Sequence, residues 1–378
     1  MQLVDNYGNV PYTQALNSAQ YLFPAYDSGS SIYDDLLKQL DAAIALAGTG
    51  SVNPGSADII FAGNMTNWKK FANTLKLKIA IRQFDYTIGT PTPKATKLGK
   101  NSALLTSISS TASVGYLDDN TFAVANPGYQ VSDSNGGQQS PFWSNYGYTA
   151  AGGEESGHAY YRANTFEVAL LKGFSDPRLT QIFAPVTGTT VTGIPLGGNN
   201  GALTNAVVSS IGPGLDISPT MSAVVLSGSE ACFLLSEGVL DGLVTSGTAQ
   251  DYYQRGITAS FVALQVPNAS ASAAAYYTQP TANVSWTASS ANYLLAIITQ
   301  KYIALSGYGW FEIYNEWRRT TYPNLSGARS IKSGALTAPG VPAPYRIFYP
   351  STEYSQNPNA VGAQPAVDPF STKIFWAQ

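Results

Sequence analysis

The sequence predicts a mainly α-helical fold, in which helical hairpins pack against a loop-rich, partly irregular face with minor β structure. Three observations lead there. Apolar residues recur at helical spacing early in the chain and again beyond about residue 225. The late helical segments are joined by very short links. Between the two helical regions lies a long stretch punctuated by proline and paired glycines.

Taken in order, the first helix is expected over about 30–47. Ile32, Leu36, Leu37, Leu40 and Ile44 share one face, with Asp34, Asp35, Lys38 and Asp41 opposite. The acidic residues near its start suit the positive end of the helix dipole. A second helix is expected over about 66–85, capped by Thr66, with Trp68, Phe71, Leu75 and Ile79 turned inward. Lys69, Lys70, Lys76, Lys78 and Arg82 would then form its polar side. They read as a solvated face, since nucleic-acid binding needs a broader basic footprint.

From about 87 to 224 the texture changes. Pro91, Pro93, Pro127, Pro141, Pro177, Pro185, Pro195, Pro213 and Pro219 interrupt it, with glycine pairs at 136–137, 152–153 and 197–198. So long a structureless loop is foreign to a compact domain. Short helices near 100–110 and 163–173, with some strand, are therefore expected inside it.

Helical texture then returns. Ser227 and Glu230 have capping-box spacing and open a helix through about Val244. Thr248 to Asp251 open another through about Leu264, with Tyr253, Ile257, Phe261 and Leu264 inward. The link Thr245-Ser246-Gly247 is short enough to force an antiparallel hairpin. A second pair, about 289–305 and 309–318, is joined across Ser306 to Gly309. Repeated hairpins of this length read as degenerate tetratricopeptide-like repeats. The expectation is thus one domain over 1–378. Its scaffold occupies about 27–86 and 225–320, its ligand-facing insertion about 87–224, and a Pro- and Tyr-rich tail, 321–378, wraps the helices.

Composition narrows the function. Charged residues make up 11% of the 378, against a usual share of about 25%. Ser, Thr, Asn, Gln and Gly must supply the polar surface, which suits an exterior, loop-rich protein. The net charge of -3 comes without a basic run. A lone cysteine, Cys232, rules out an intrachain disulfide and sits in an apolar run as a small hydrophobe. A lone histidine, His158, rules out a multi-histidine metal centre, and no metal or cofactor is expected. No apolar stretch approaches the ~20 residues of a spanning helix. The abrupt opening, with no signal peptide, suggests an N-terminally truncated chain.

Sugar capture asks for aromatic faces that stack on pyranose C–H groups, rimmed by amides and hydroxyls. The stretch from Tyr129 to Tyr161 supplies them: Phe142, Trp143, Tyr146, Tyr148, Tyr160 and Tyr161, with Asn135, Gln138, Gln139 and Asn145. Trp143, Asn145, Tyr146, Tyr148 and Tyr160 are the candidate ligand contacts. Trp286, near Tyr276 and Tyr277, marks a weaker second patch. The competing reading is that these rings pin a long loop to the body. Glu154, Glu155 and His158 invite a hydrolase or metal assignment, but adjacent glutamates in a Gly-rich loop point to water. Glycosidase carboxylates must face each other about 5–10 Å apart. No serine-hydrolase elbow, zinc-protease motif or phosphate loop is present, and the chain reads as a non-enzyme.

Several segments resemble one family, in its order. The opening Asp5-Asn6-Tyr7-Gly8-Asn9-Val10-Pro11-Tyr12 is followed by Pro24-Ala25-Tyr26-Asp27, Ile32-Tyr33-Asp34-Asp35-Leu36 and Asn64 to Leu77. Leu234 to Gly238, Tyr252 to Ile257, Thr299 to Leu305, Glu316 to Thr320 and Tyr345 to Asn359 complete the set. Together they resemble the SusD/RagB family of nutrient-binding proteins. The resemblance implies a tetratricopeptide-like helical fold and a lipoprotein at the outer-membrane surface of Bacteroidota-type bacteria. It also implies capture of oligosaccharide for delivery to a SusC-like TonB-dependent transporter, or of oligopeptide as in RagB-like members. The family's lipidated cysteine and first helical segment are missing from this sequence, so the lipid anchor is implied only. The segment 87–225 matches least, and ligand choice would lie there. The opening motif reads as structure, with a tight turn at Gly8 and Asp5 as a scaffold residue. Glu316, Arg318 and Arg319 read as a guanidinium–carboxylate scaffold bond. A pure protein-interaction scaffold and a glycoside hydrolase are the competing classes.

Overall fold

The computed structural model describes residues 1–50, 52–84, 100–195, 203–323 and 344–377. The prolines at 91 and 93 and the glycine pair at 197–198 lie outside them, as does 324–343 of the tail. Helices dominate. In chain order they are α1 (Gln2–Tyr7), α2 (Gly29–Leu46), α3 (Met65–Gln83), α4 (Asn101–Ser110), α5 (Pro141–Tyr146), α6 (Ser156–Tyr160), α7 (Thr165–Gly173) and α8 (Leu179–Ile182). They continue as α9 (Gly228–Leu240), α10 (Ala249–Ala263), α11 (Ala269–Tyr277), α12 (Tyr293–Ala304), α13 (Trp310–Thr320), α14 (Ser351–Gln356) and α15 (Pro358–Gly362). Two small antiparallel pairs accompany them. β1 (Val10–Pro11) pairs with β2 (Tyr26–Asp27), and β3 (Ala123–Ala125) with β4 (Ala223–Leu226).

The caps explain where helices begin. Ser227 accepts from the backbone N–H of Glu230, and Thr248 from that of Asp251, as their spacing foretells. The first helix of that pair stops at Leu240 rather than Val244, because Asp241 and Gly242 turn the chain at once. α3 begins one residue early: Asn64, not Thr66, accepts from the N–H of Asn67. α11 has no clear counterpart in the sequence reading, since its alanine-rich run lacks an amphipathic stripe.

α9 and α10 form the antiparallel hairpin, and α12 packs across both. Their shared core holds Phe233, Tyr253, Ile257, Phe261, Ala296 and Ile297, with Trp286. A second cluster joins α2, α3 and α4 to the other side of α9 through Tyr33, Leu37, Leu77, Ile81, Ile108 and Leu234. The opening motif is folded into it. Gly8, at φ +78°, makes the tight turn, where a side chain would meet the Arg346 guanidinium. Tyr7 stacks on Tyr349, and the Tyr12 hydroxyl donates to Asp35.

One expectation is overturned. Lys76, Lys78 and Arg82 do not form a solvated face; all three are buried. Lys78 lies 2.8 Å from Glu230 and 3.0 Å from Glu312, Arg82 2.7 Å from Asp5, and Lys76 2.5 Å from Asp41. The network extends through α12 and α13, where Lys301 lies 2.6 Å from Glu316 and Arg319 2.7 Å from Glu237. Arg319 also donates from Nε to Glu316 at 3.0 Å, the expected scaffold bond at the end of α13. Burying a charge is costly unless it is paired. Here the polar side of α3 is turned inward because acidic partners from four other segments meet it.

An aromatic-walled candidate site

The insertion folds over one end of this scaffold. Ser140 is tied to the β4-side chain by its N–H to the Pro219 carbonyl at 2.7 Å. Proline at the first position then starts α5, where a missing N–H costs nothing. Tyr148 and Glu154 form an antiparallel bridge around a turn closed by Thr149 and Gly152, and α6 follows. α5 and α6 touch so closely that a Cβ at Gly157 would lie 2.4 Å from the Asn145 carbonyl oxygen. Only glycine fits there.

His158 fixes this pair of helices from beneath. It is buried, with Nδ1 2.6 Å from the Tyr146 carbonyl oxygen and Nε2 3.3 Å from the Ser210 hydroxyl. Nδ1 therefore donates to the carbonyl, and Nε2 shares a hydrogen bond with the Ser210 hydroxyl. Asp216 approaches Nδ1 at 3.6 Å, and both of its oxygens are buried without a hydrogen bond. Burial pushes the Asp216 carboxyl up to about 6, against the opposing pull of His158.

Beside α5 lies a cleft of about 410 Å³. Phe142, Tyr146, Tyr161, Phe183 and Trp310 wall it, and Glu167, Asn164 and Ser306 line its polar side. Tyr146 packs on Phe142 at 4.9 Å and edge-on to Tyr161 at 5.6 Å, so these three rings form one continuous aromatic surface. Trp310 enters from the start of α13, and its side chain is largely open, 71% exposed. Glu167 sits in the first turn of α7, capped by Asn164. It is buried and accepts a hydrogen bond from the Ser306 hydroxyl. Desolvation raises its carboxyl to about 7, with the Ser306 bond pulling the other way.

Of the candidate contacts read from the sequence, Tyr146 lines the cleft. Trp143, Asn145, Tyr148 and Tyr160 lie on the same two short helices and their turn, flanking it. Trp143 packs 6.1 Å from Tyr148, whose ring covers His158 at 4.8 Å. Tyr160 is 80% exposed and meets Tyr161 edge-on. Asn145 donates back to the Pro141 carbonyl at 3.0 Å. Trp286 is elsewhere. It is buried in the scaffold core, stacked on Tyr293 at 4.2 Å and tilted against Tyr253, so it joins no surface patch. Tyr276 is buried as well, its hydroxyl 3.0 Å from Gln300. Of the acidic pair beside the histidine, Glu154 is exposed, as expected. Glu167, Phe183 and Trp310 were not singled out by sequence. The available hint at Glu167 is an acidic residue four positions before buried Leu171, on the helix's inward face.

The comparisons with known proteins match this architecture. The SusD-like family, described as starch-binding and associating with the outer membrane, matches residues 1–350. The chain belongs to the SusD-like family. Among solved structures it is similar to a chitin-binding SusD homologue from Flavobacterium johnsoniae, at 23% identity and a TM-score of 0.74, covering 99% of this chain and 77% of that one. A SusD homologue from Bacteroides uniformis is 24% identical, with a TM-score of 0.74 and coverage of 100% and 78%. Another, from Bacteroides ovatus, is 24% identical, with a TM-score of 0.70 and coverage of 96% and 74%. No curated protein matches the sequence. At these identities the likeness establishes the SusD-like helical fold.

Proposed function

We propose that this SusD-like protein captures oligosaccharide at the outer-membrane surface and hands it to a SusC-like TonB-dependent transporter, held there by a lipid anchor. The observation that carries the binding half is the cleft. Tyr146, Tyr161 and Trp310 offer ring faces from three separate segments to one space large enough for a sugar unit or two. Asn164, Ser210, Ser306 and Glu167 supply hydrogen-bonding partners along its floor. Trp143, Asn145, Tyr148 and Tyr160 extend the same face and would meet further units of a chain. The cleft lining holds one carboxylate, Glu167, whereas glycoside cleavage calls for two facing one another. That favours capture over hydrolysis. The starch-binding description of the family and the similarity to a chitin-binding homologue support a glycan over the oligopeptide alternative.

A protein that passes its ligand on should bind in the micromolar to millimolar range, roughly -8 to -4 kcal/mol. Calorimetric titration against plant, fungal and bacterial oligosaccharides tests this directly. Trp310→Ala should weaken the best ligand by roughly ten-fold while leaving the melting temperature in place. Binding confined to peptides, or a Trp310→Ala variant with unchanged glycan affinity, would refute the assignment.

A further inference from the structure

The cleft contains a buried carboxyl group, that of Glu167, with which no cation of the described residues forms an ion pair. Its internal partner is the hydroxyl of Ser306. Arg178, deeper in the scaffold, pulls the Glu167 carboxyl down through its charge but is itself engaged by Asp176 at 2.6 Å and by Gln300 at 2.7 Å. Arg162 also lines the cleft, but Nη1 donates to the carbonyls of His158 at 2.6 Å and Tyr161 at 3.0 Å. Its Nη2 faces Glu154 at 3.8 Å, on the outer side. The same cleft is walled by Phe142, Tyr146, Tyr161, Phe183 and Trp310. Aromatic walls and a buried carboxylate in one cleft attract a compact organic cation, since quadrupole and charge act in the same direction.

We infer that the cleft selects a sugar unit bearing a protonated primary amine, with the ammonium on Glu167 and the ring against Tyr161 and Trp310. The proposal rests on the glycan-capture reading and narrows it to de-N-acetylated amino sugars. The raised carboxyl pKa of Glu167 agrees with a site that lacks its counter-ion until ligand arrives. The same chemistry is found on a lysine side chain, so the two sources must be separated.

The experiment is calorimetry on the intact chain at pH 7 with four probes: tetraglucosamine, its fully N-acetylated counterpart, maltotetraose and a Lys-Gly-Gly peptide. Tetraglucosamine is expected to bind roughly ten-fold tighter than the N-acetylated sugar, a ratio typical of one gained charge-assisted hydrogen bond. Glu167→Gln, which keeps the shape and the Ser306 contact, should bring that ratio close to one. The comparison of sugars on the unmodified protein needs no variant to fold. An N-acetylated sugar or maltotetraose that binds as well as tetraglucosamine overturns the amine proposal and leaves glycan capture standing. A peptide that binds as well as tetraglucosamine overturns the sugar source. A peptide that binds when none of the sugars does overturns glycan capture itself.

Discussion

The helical scaffold and the cleft treat buried charge in opposite ways. Around α3, α9, α12 and α13, most carboxylates are met by cations: Glu230 by Lys78, Glu312 by Lys78 and Arg82, Glu316 by Lys301, Glu237 by Arg319; Asp241, at the end of α9, is buried without an ion pair among the described residues. Under the aromatic face, Glu167 has a serine hydroxyl and Asp216 stands 3.6 Å from a histidine. The first arrangement closes on itself and fixes how helices sit. The second leaves interaction capacity unspent at a surface, where a ligand can use it. A chain with only 11% charged residues has therefore placed many of them inside, and their company distinguishes architecture from recognition.

The sharpest way to break the scaffold side is Arg82→Ala. It takes the cation from Asp5 and leaves Glu312 with Lys78 alone, and removing one partner of a buried pair costs about 3–5 kcal/mol. Urea denaturation should show that loss or fail to find a folded baseline. Tryptophans give the next contrast. Trp286→Ala empties a core position and should cost about 3 kcal/mol or more. Trp310→Ala, at an open position, should cost well under about 1 kcal/mol by the same measurement.

Acidity sets Glu312 and Glu167 apart by sign. Burial alone would raise Glu312, but Arg82 and Lys78 override it and hold its carboxyl well below the usual range. Its contribution is complete above the unfolded value and drains away as pH falls through the folded one. Glu167 runs the other way, from 4.5 up to about 7. The folded state then holds the proton more tightly, so stability falls as pH rises from about 4.5 to 7 and levels off above. Glu167→Gln should flatten that decline by up to about 3 kcal/mol, read as melting temperature against pH. The smallest effect belongs to Tyr160→Ala. With the ring 80% exposed, stability should stay within about 0.5 kcal/mol of the parent. Larger losses there would mean that the aromatic loop is holding the body together.

Local signals in the sequence were faithful wherever the determining contact is local. Ser227 and Thr248 cap their helices because a cap needs only the next three residues. The hairpin of α9 and α10 follows from the length of its link. The buried face of α3 was misread because its partners are remote: Glu230 is 152 positions from Lys78, and Glu312 is 230 from Arg82. Periodicity assigns lysine to water unless a distant acid is known. Trp286 was misplaced for the same reason, since Tyr253 and Tyr293 arrive from flanking helices to cover it. Aromatic density alone points to Tyr146, which lines the cleft, whereas Glu167 and Trp310 join it only when the fold brings α7 and α13 to α5.

Asp5 accepts from Tyr33, from Arg82 at 2.7 Å and from the Trp376 indole at 3.0 Å, joining positions 371 residues apart. A ribosome delivers the acceptor long before the last donor exists. The latch can shut only after synthesis has run through Trp376, and until then an acidic group with nowhere dry to go keeps that corner wet and loose.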